Sequence, residues 1–210
     1  MRKIFAILGK ASVGKDSLAS YLSEITGYPI ALSFTTRPMR KNEVQGKEYD
    51  FISEEKFKWL ESNKCLVEYT VYKVASGETW YYGLTREELE KADYVLVIVN
   101  PHGLRQLKEV YGNKVCSILI DSDAKTRIIR YLNRDTTDES KVEECCRRFL
   151  ADQNDFKDLI TDYIIKNNDT LVESLQELHK IVRNVVAKDI LDKVNEDFKN
   201  DPRRFIDGEY

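Results

Sequence analysis

Two hydrophobic periods alternate along this chain. Ile4-Phe5-Ala6-Ile7-Leu8 is a short unbroken apolar run, whereas Leu18, Ala19, Tyr21, Leu22 and Ile25 recur at helical spacing. Pro29-Ile30-Ala31-Leu32-Ser33 predicts another short strand, and a polar, irregular segment with Pro38 and Gly46 as breakers follows it to Phe51. Ser53 is placed as the N-cap of a helix that carries Phe57 and Leu60 on one face, with Trp59 flanking it. Residues 65–74 alternate weakly, residues 75–78 read as a turn and residues 79–83 return, which predicts a β-hairpin. Thr85 caps a short helix through Glu87, Glu88 and Leu89.

The second half repeats the alternation. Tyr94-Val95-Leu96-Val97-Ile98-Val99 reads as a strand buried on both faces of a parallel sheet. A helix over 104–111, a strand over 115–120 and a helix through Ile128, Ile129 and Leu132 follow. Tyr163-Ile164-Ile165-Lys166 is the last strand. The final helix starts at Thr170 and carries Leu171, Leu175, Leu178, Val182 and Val185 as one stripe, which faces a core or a partner. Val186, Ile190, Val194 and Phe198 predict an added helix from about residue 184, ending loosely at Asp201-Pro202-Arg203-Arg204.

The 210 residues predict one α/β domain with room for inserted subdomains. Charged residues make up 33% of the chain, yet the net charge is only −3, so no basic bias points to a nucleic-acid polymer. No apolar run is long enough to span a membrane, and the chain opens at once on a core strand, so neither a membrane nor a secretory leader is expected. Cys65, Cys116, Cys145 and Cys146 lack zinc spacing and read as reduced thiols of a cytoplasmic protein. A homodimer is one of the partner readings for the final helix.

Chemistry concentrates between the first strand and the first helix. Gly9-Lys10-Ala11-Ser12-Val13-Gly14-Lys15-Asp16-Ser17 has the G-x-x-x-x-G-K spacing of a P-loop in its strand–turn–helix context. The two glycines let backbone N–H groups curl around an anion, the helix start adds its dipole, and Lys15 supplies a mobile cation. Asp16 stands where a Ser or Thr hydroxyl commonly ligates magnesium, and its carboxylate is a hard oxygen ligand suited to Mg²⁺. ATP with Mg²⁺ is therefore the expected ligand of residues 9–17.

Between Ser33 and Phe51, Arg37 and Arg40 lie three apart with Tyr49 further on. A bidentate phosphate clamp and a solvated basic loop are equally compatible with that composition. Arg127, Arg130, Arg134, Arg147 and Arg148 lie on two helical segments around Asp135-Thr136-Thr137-Asp138-Glu139-Ser140. Downstream of a P-loop, that pattern predicts a mobile lid delivering arginines to a transferring phosphoryl group rather than a charged surface hairpin. His102 and His179 have no catalytic partner in sequence and read as surface or packing residues.

Taken together, residues 3–182 resemble the guanylate kinases. Ser33, Arg37, Arg40, Glu43 and Tyr49 look like that family's GMP-phosphate segment. Glu68 matches its guanine-reading glutamate, and Tyr81-Tyr82-Gly83 its tyrosine-tyrosine-glycine turn. Arg130, Arg134 and either Arg147 or Arg148 look like the lid arginines, with Arg148 preferred, and Asn167-Asn168-Asp169 like the closing turn. The family's Asp-x-Asp pair and following Gln-Gly are replaced by Ile98, Asn100 and His102-Gly103. Its hydroxyl after the tyrosine turn is Leu84 here, with Thr85 one place on.

The resemblance implies a three-layer α/β P-loop kinase fold. It would have a mostly parallel five-stranded core sheet (about 1–32, 92–126 and 149–183), a small mixed-β monophosphate-binding subdomain (about 33–91) and a helical lid (about 127–148), with a helical extension over 184–210. The implied reaction is transfer of the ATP γ-phosphoryl to GMP or dGMP. Lys15, Arg130, Arg134 and Arg148 would be catalytic; Ser33, Arg37, Arg40, Glu43, Tyr49, Glu68, Tyr82 and Thr85 would hold the acceptor; and Asp16 would hold the metal. A kinase of the same build for another nucleotide or a phosphorylated sugar is an alternative. A non-catalytic module binding a phosphorylated protein is another, but such modules commonly erode the P-loop, and Gly9, Gly14 and Lys15 all remain.

Overall fold

The computed structural model describes residues 3–40, 43–73, 77–134 and 139–200. β1 (Lys3–Leu8) runs through the glycine loop into α1 (Lys15–Thr26), whose end is turned by Gly27 at φ 72°. The irregular segment contains two minimal strands, β2 (Phe34–Thr35) and β3 (Asp50–Phe51). α2 (Glu54–Ser62) follows, with the Ser53 hydroxyl accepting from the Lys56 N–H. β4 (Leu66–Lys73) and β5 (Thr79–Thr85) are the predicted hairpin, and residues 75 and 76 of its turn lie outside the described residues. Then come α3 (Arg86–Glu90), β6 (Tyr94–Ile98), α4 (Pro101–Tyr111), β7 (Val115–Asp121) and α5 (Ala124–Arg134). α6 (Glu139–Asp155), β8 (Tyr163–Lys166) and α7 (Leu171–Asn200) complete the chain.

The core sheet is wholly parallel, in the order β6-β1-β7-β8. Among the described residues it has four strands, not the five expected. Residues 29–33 reduce to a single parallel bridge, Ile30 to Leu96, beside β6. The N–H of Leu96 donates to the Pro29 carbonyl and that of Ala31 to the Leu96 carbonyl, so the segment pairs for only one ladder step. Proline at the start of the segment withholds a donor, and the chain leaves at once for the second sheet.

β1 shows why the apolar run is unbroken. Ile4, Ala6 and Leu8 point to one face, where Leu104 and Leu107 of α4 and Leu84 of β5 complete a cluster. Phe5 and Ile7 point to the other, against Leu18, Ala19 and Leu22 of α1 and Leu178 and Val182 of α7. Period two with both faces covered demands hydrophobic residues at every position.

The second sheet is mixed, in the order β3-β2-β5-β4: β2 pairs parallel to β3 and antiparallel to β5. Phe57 of α2 is buried on its far side between the Tyr69 and Tyr81 rings, while Trp59 is exposed and Leu60 half-buried. α4 fastens this sheet to the core. The Gln106 amide accepts from the Tyr69 N–H at 2.7 Å and donates to the Tyr69 carbonyl at 3.3 Å.

α7 runs without interruption through residue 184, so the added helix expected there is the continuation of one 30-residue helix. Residues 201–204 lie outside the described residues. All four cysteines are free thiols. Among the described residues no helix is long and apolar enough to cross a membrane.

Candidate active site

The glycine loop is held in a shape that only its own sequence permits. Gly14 sits at φ 88° as the N-cap of α1, and no side chain caps that helix. Ser12 shares the left-handed region at φ 61°. A Cβ on Gly9 would lie 2.5 Å from the Val13 side chain and 2.7 Å from the Ile120 carbonyl, so the loop packs against β7 with no room for alanine. The open N-terminus of α1 offers unpaired N–H groups and the positive end of the helix dipole to an anion. Lys15 stands in the first turn of α1, its ammonium 3.2 Å from the largely exposed Asp16 carboxylate.

Two side chains from the far half of the sequence brace this loop. Asn167, buried at the end of β8, donates to the Val13 carbonyl at 2.7 Å and accepts from the Ser174 hydroxyl at 3.0 Å. Asp152 of α6 accepts from the Ala11 N–H at 2.7 Å and lies 3.5 Å from an Arg127 guanidinium nitrogen. Arg127 is only 3% exposed and stacks over the Phe149 ring at 4.5 Å. Through Asp152, Arg127 is joined to the support of the glycine loop. Arg130 donates to the Asn167 carbonyl at 2.8 Å, which places it at the carboxyl end of β8. Arg148 is half-buried on α6 and Arg147 exposed, while the side chain of Arg134 and residues 135–138 lie outside the described residues.

Across the loop, residues from four separate stretches meet. The Arg37 guanidinium lies 5.2 Å from the centre of the Tyr49 ring and 5.3 Å from that of Phe51. Tyr49 meets Tyr82 edge to face at 5.7 Å, and Tyr82 meets Tyr72 in the same way at 5.5 Å. Burial, with smaller contributions from Tyr82 and Asp16, pushes the Tyr49 phenol up to about 12. Glu43 does not face outward with these groups; it grips Arg37 through both oxygens and accepts from the Arg40 N–H at 2.8 Å. Both Glu43 oxygens are thus engaged within the protein. The Arg40 side chain is exposed, and Ser33 joins the sheet through its carbonyl, which accepts from the Asp50 N–H.

Glu68 is the buried acid of the hairpin, 7% exposed, and its carboxylate has no hydrogen-bond or ion-pair partner among the described residues. Burial alone pushes it up to about 7. It abuts the first turn of α4, where a Cβ on Gly103 would lie 2.9 Å from a Glu68 oxygen. Glu68, Thr70 and Tyr72 alternate along β4 and share this face with Tyr82, which pairs with Thr70. Asn100 caps α4 and donates to both the Thr70 and Tyr72 hydroxyls. Leu84, opposite Glu68, is fully buried in the core. The Thr85 hydroxyl accepts from the Glu88 N–H as the cap of α3. Sequence reasoning missed Thr70 and Tyr72 as site residues, although period two from Glu68 puts them there.

No group of three or more His, Cys, Asp or Glu among the described residues forms a metal cage. Mg²⁺ commonly keeps several waters and binds one or two carboxylates plus substrate phosphates. The exposed Asp16 carboxylate beside the open end of α1 fits such a role.

The family model for guanylate kinase matches residues 1–185. The chain is 31% identical to the guanylate kinase of Wigglesworthia glossinidia brevipalpis over 205 residues, covering 93% of this chain and 95% of that one. It is also 31% identical to the guanylate kinase of Wolinella succinogenes, covering 90% and 86%. Among solved structures, that of guanylate kinase from Anaplasma phagocytophilum shares the fold with a TM-score of 0.58 at 24% identity, covering 87% and 85%. The chain therefore belongs to the guanylate kinase family, a family of nucleoside monophosphate phosphotransferases.

Proposed function

We propose that this protein transfers the γ-phosphoryl of ATP to a guanine nucleoside monophosphate, GMP or dGMP. The observation that carries this reading is Glu68: a buried carboxylate with no partner among the described residues is costly unless a ligand satisfies it. Guanine offers two adjacent donors, N1–H and the 2-amino group. Adenine offers neither on that edge.

Residues 9–17 hold the ATP phosphates through backbone N–H groups, with Lys15 as the mobile cation. Asp16 would hold Mg²⁺ together with those phosphates; when bound, the metal supplies neutralisation of phosphate charge. Arg37, Arg40, Tyr49 and Tyr82 bind the acceptor phosphate, with Ser33 at its edge, and Glu43 keeps Arg37 aligned. Arg130, Arg134 and Arg148 stabilise the charge that develops on the transferring group. Positioning and charge neutralisation suffice, and no covalent intermediate is required. In this reading residues 33–91 form the acceptor subdomain, 127–148 the lid, and 1–32, 92–126 and 149–183 the core. ADP release measured over a panel of nucleoside monophosphates tests the proposal: guanine nucleotides should be the best acceptors, and failure to use either one would overturn it.

A further inference from the structure

The Asn100 amide has a fixed orientation. Its oxygen accepts from the Gly103 N–H at 2.7 Å, so its nitrogen must face the hairpin. From there it donates to Thr70 Oγ1 at 3.2 Å and to the Tyr72 hydroxyl at 2.9 Å. A backbone N–H can only donate, which excludes the flipped amide. Both amide hydrogens and the amide oxygen are thus engaged within the protein, and Asn100 is a positioning residue. Each hydroxyl that accepts from it keeps its own proton to give. Tyr72 is 43% exposed, and its hydroxyl donates to no described residue.

The place of these hydroxyls says what they meet. They follow Glu68 along one face of β4, and Tyr72 reaches the Tyr82 ring at 5.5 Å. They lie between the base-reading carboxylate and the phosphate-binding tyrosines, where a nucleotide has its sugar. We propose that Tyr72, with Thr70 beside it, donates hydrogen bonds to the sugar hydroxyl oxygens of the acceptor nucleotide, and that Asn100 sets the direction of those bonds. This inference rests on the function proposed above. An aspartate at position 100 would reverse the array. It can still cap α4, but it only accepts, so it would draw the Tyr72 and Thr70 protons inward.

The test is steady-state phosphoryl transfer to GMP and to 2′,3′-dideoxyguanosine monophosphate by wild type, Tyr72→Phe and Asn100→Asp, with folding checked by thermal melting. Tyr72→Phe should lose about 3- to 10-fold in kcat/KM with GMP, as expected for one hydrogen bond, while the KM for ATP stays constant. With the dideoxy acceptor, wild type and Tyr72→Phe should be equal, because the acceptor oxygens are gone. Asn100→Asp should lose at least as much as Tyr72→Phe on GMP while keeping the wild-type melting temperature to within a few degrees. An equal penalty on both acceptors, no penalty on GMP, or faster GMP turnover by Asn100→Asp would each overturn the inference. A failure of the function reading would be visible separately, as wild type that does not phosphorylate GMP at all.

Discussion

Arg37 and Glu43 form a two-point pair: the guanidinium Nη1 and Nη2 donate to the two carboxylate oxygens at 2.7 and 2.5 Å. Arg37 is 4% exposed, so its charge depends on this partner. The bond to Arg37 holds the Glu43 carboxyl at about 2, below its ordinary 4.5. The stability it contributes is therefore present above pH 4.5 and lost as the pH falls towards 2. Glu43→Gln should raise the KM for every accepted monophosphate by about tenfold, the effect of losing one charge-assisted hydrogen bond, and leave the KM for ATP unchanged. Equal effects on both substrates in steady-state kinetics would mean that Glu43 supports the whole fold rather than the acceptor side.

Asp16 supplies the prediction for the metal. Its carboxylate is 75% exposed beside Lys15 at the open end of α1. Asp16→Asn should shift the magnesium titration of turnover to higher concentration and lower the maximal rate, whereas Asp16→Ser, which restores a neutral oxygen ligand, should be milder. An unchanged titration in Asp16→Asn would place the metal on other groups.

Asp152 carries a prediction about ATP. It holds the Ala11 N–H of the phosphate loop and the buried Arg127. Asp152→Ala orphans both and should raise the KM for ATP about tenfold and lower the melting temperature, with the KM for the acceptor nearly unchanged. Asp152→Asn keeps an acceptor for Ala11 and should fall between the two. A normal KM for ATP in a folded Asp152→Ala protein would show that the loop holds its shape without this brace.

Glu68 links function to stability with opposite signs. Its carboxyl is pushed by burial to about 7 from an ordinary 4.5. Folding then favours the protonated form, so the stability it allows is full below pH 4.5 and is lost as the pH rises through 7. Glu68→Gln, which never ionises, should be more stable than wild type by roughly 2–3 kcal/mol at pH 8, with the difference vanishing below pH 4.5. In wild type the apparent KM for GMP should rise as the pH falls below 7. Denaturant unfolding across this pH range reads the first effect and steady-state kinetics the second.

The chain itself announces much of this arrangement, and the exceptions have physical causes. β1, β6 and the glycine loop are legible because burial on both faces and positive φ leave few residue choices. β2 and β3 are two residues each, too short for any periodicity to register; β2 is recruited by tertiary pairing with β5, and β3 by pairing with β2. Residues 29–33 read as a full strand because strand composition does not reveal where pairing stops. Arg127 and Arg130 look alike in sequence, yet one is buried against Asp152 and the other bonds the Asn167 carbonyl, contacts made across more than twenty residues. Thr85 could serve a ligand or a helix, and the nearby α3 N–H takes it. No glycine or proline separates the stripe of 171–185 from that of 186–198, so nothing in the chain breaks the helix at 184, and α7 runs through both.

The proposed function turns on Glu68 reading guanine on a phosphoryl acceptor. The most direct measurement is kcat/KM for ADP release with GMP, dGMP, AMP, CMP and dTMP, in wild type and in Glu68→Gln. Wild type should use the guanine nucleotides best, and Glu68→Gln should lose about 100-fold with them while its KM for ATP changes little, as expected when a buried charged acceptor is removed. Better turnover of CMP or dTMP than of either guanine nucleotide by wild type, or an undiminished guanine preference in Glu68→Gln, would contradict it.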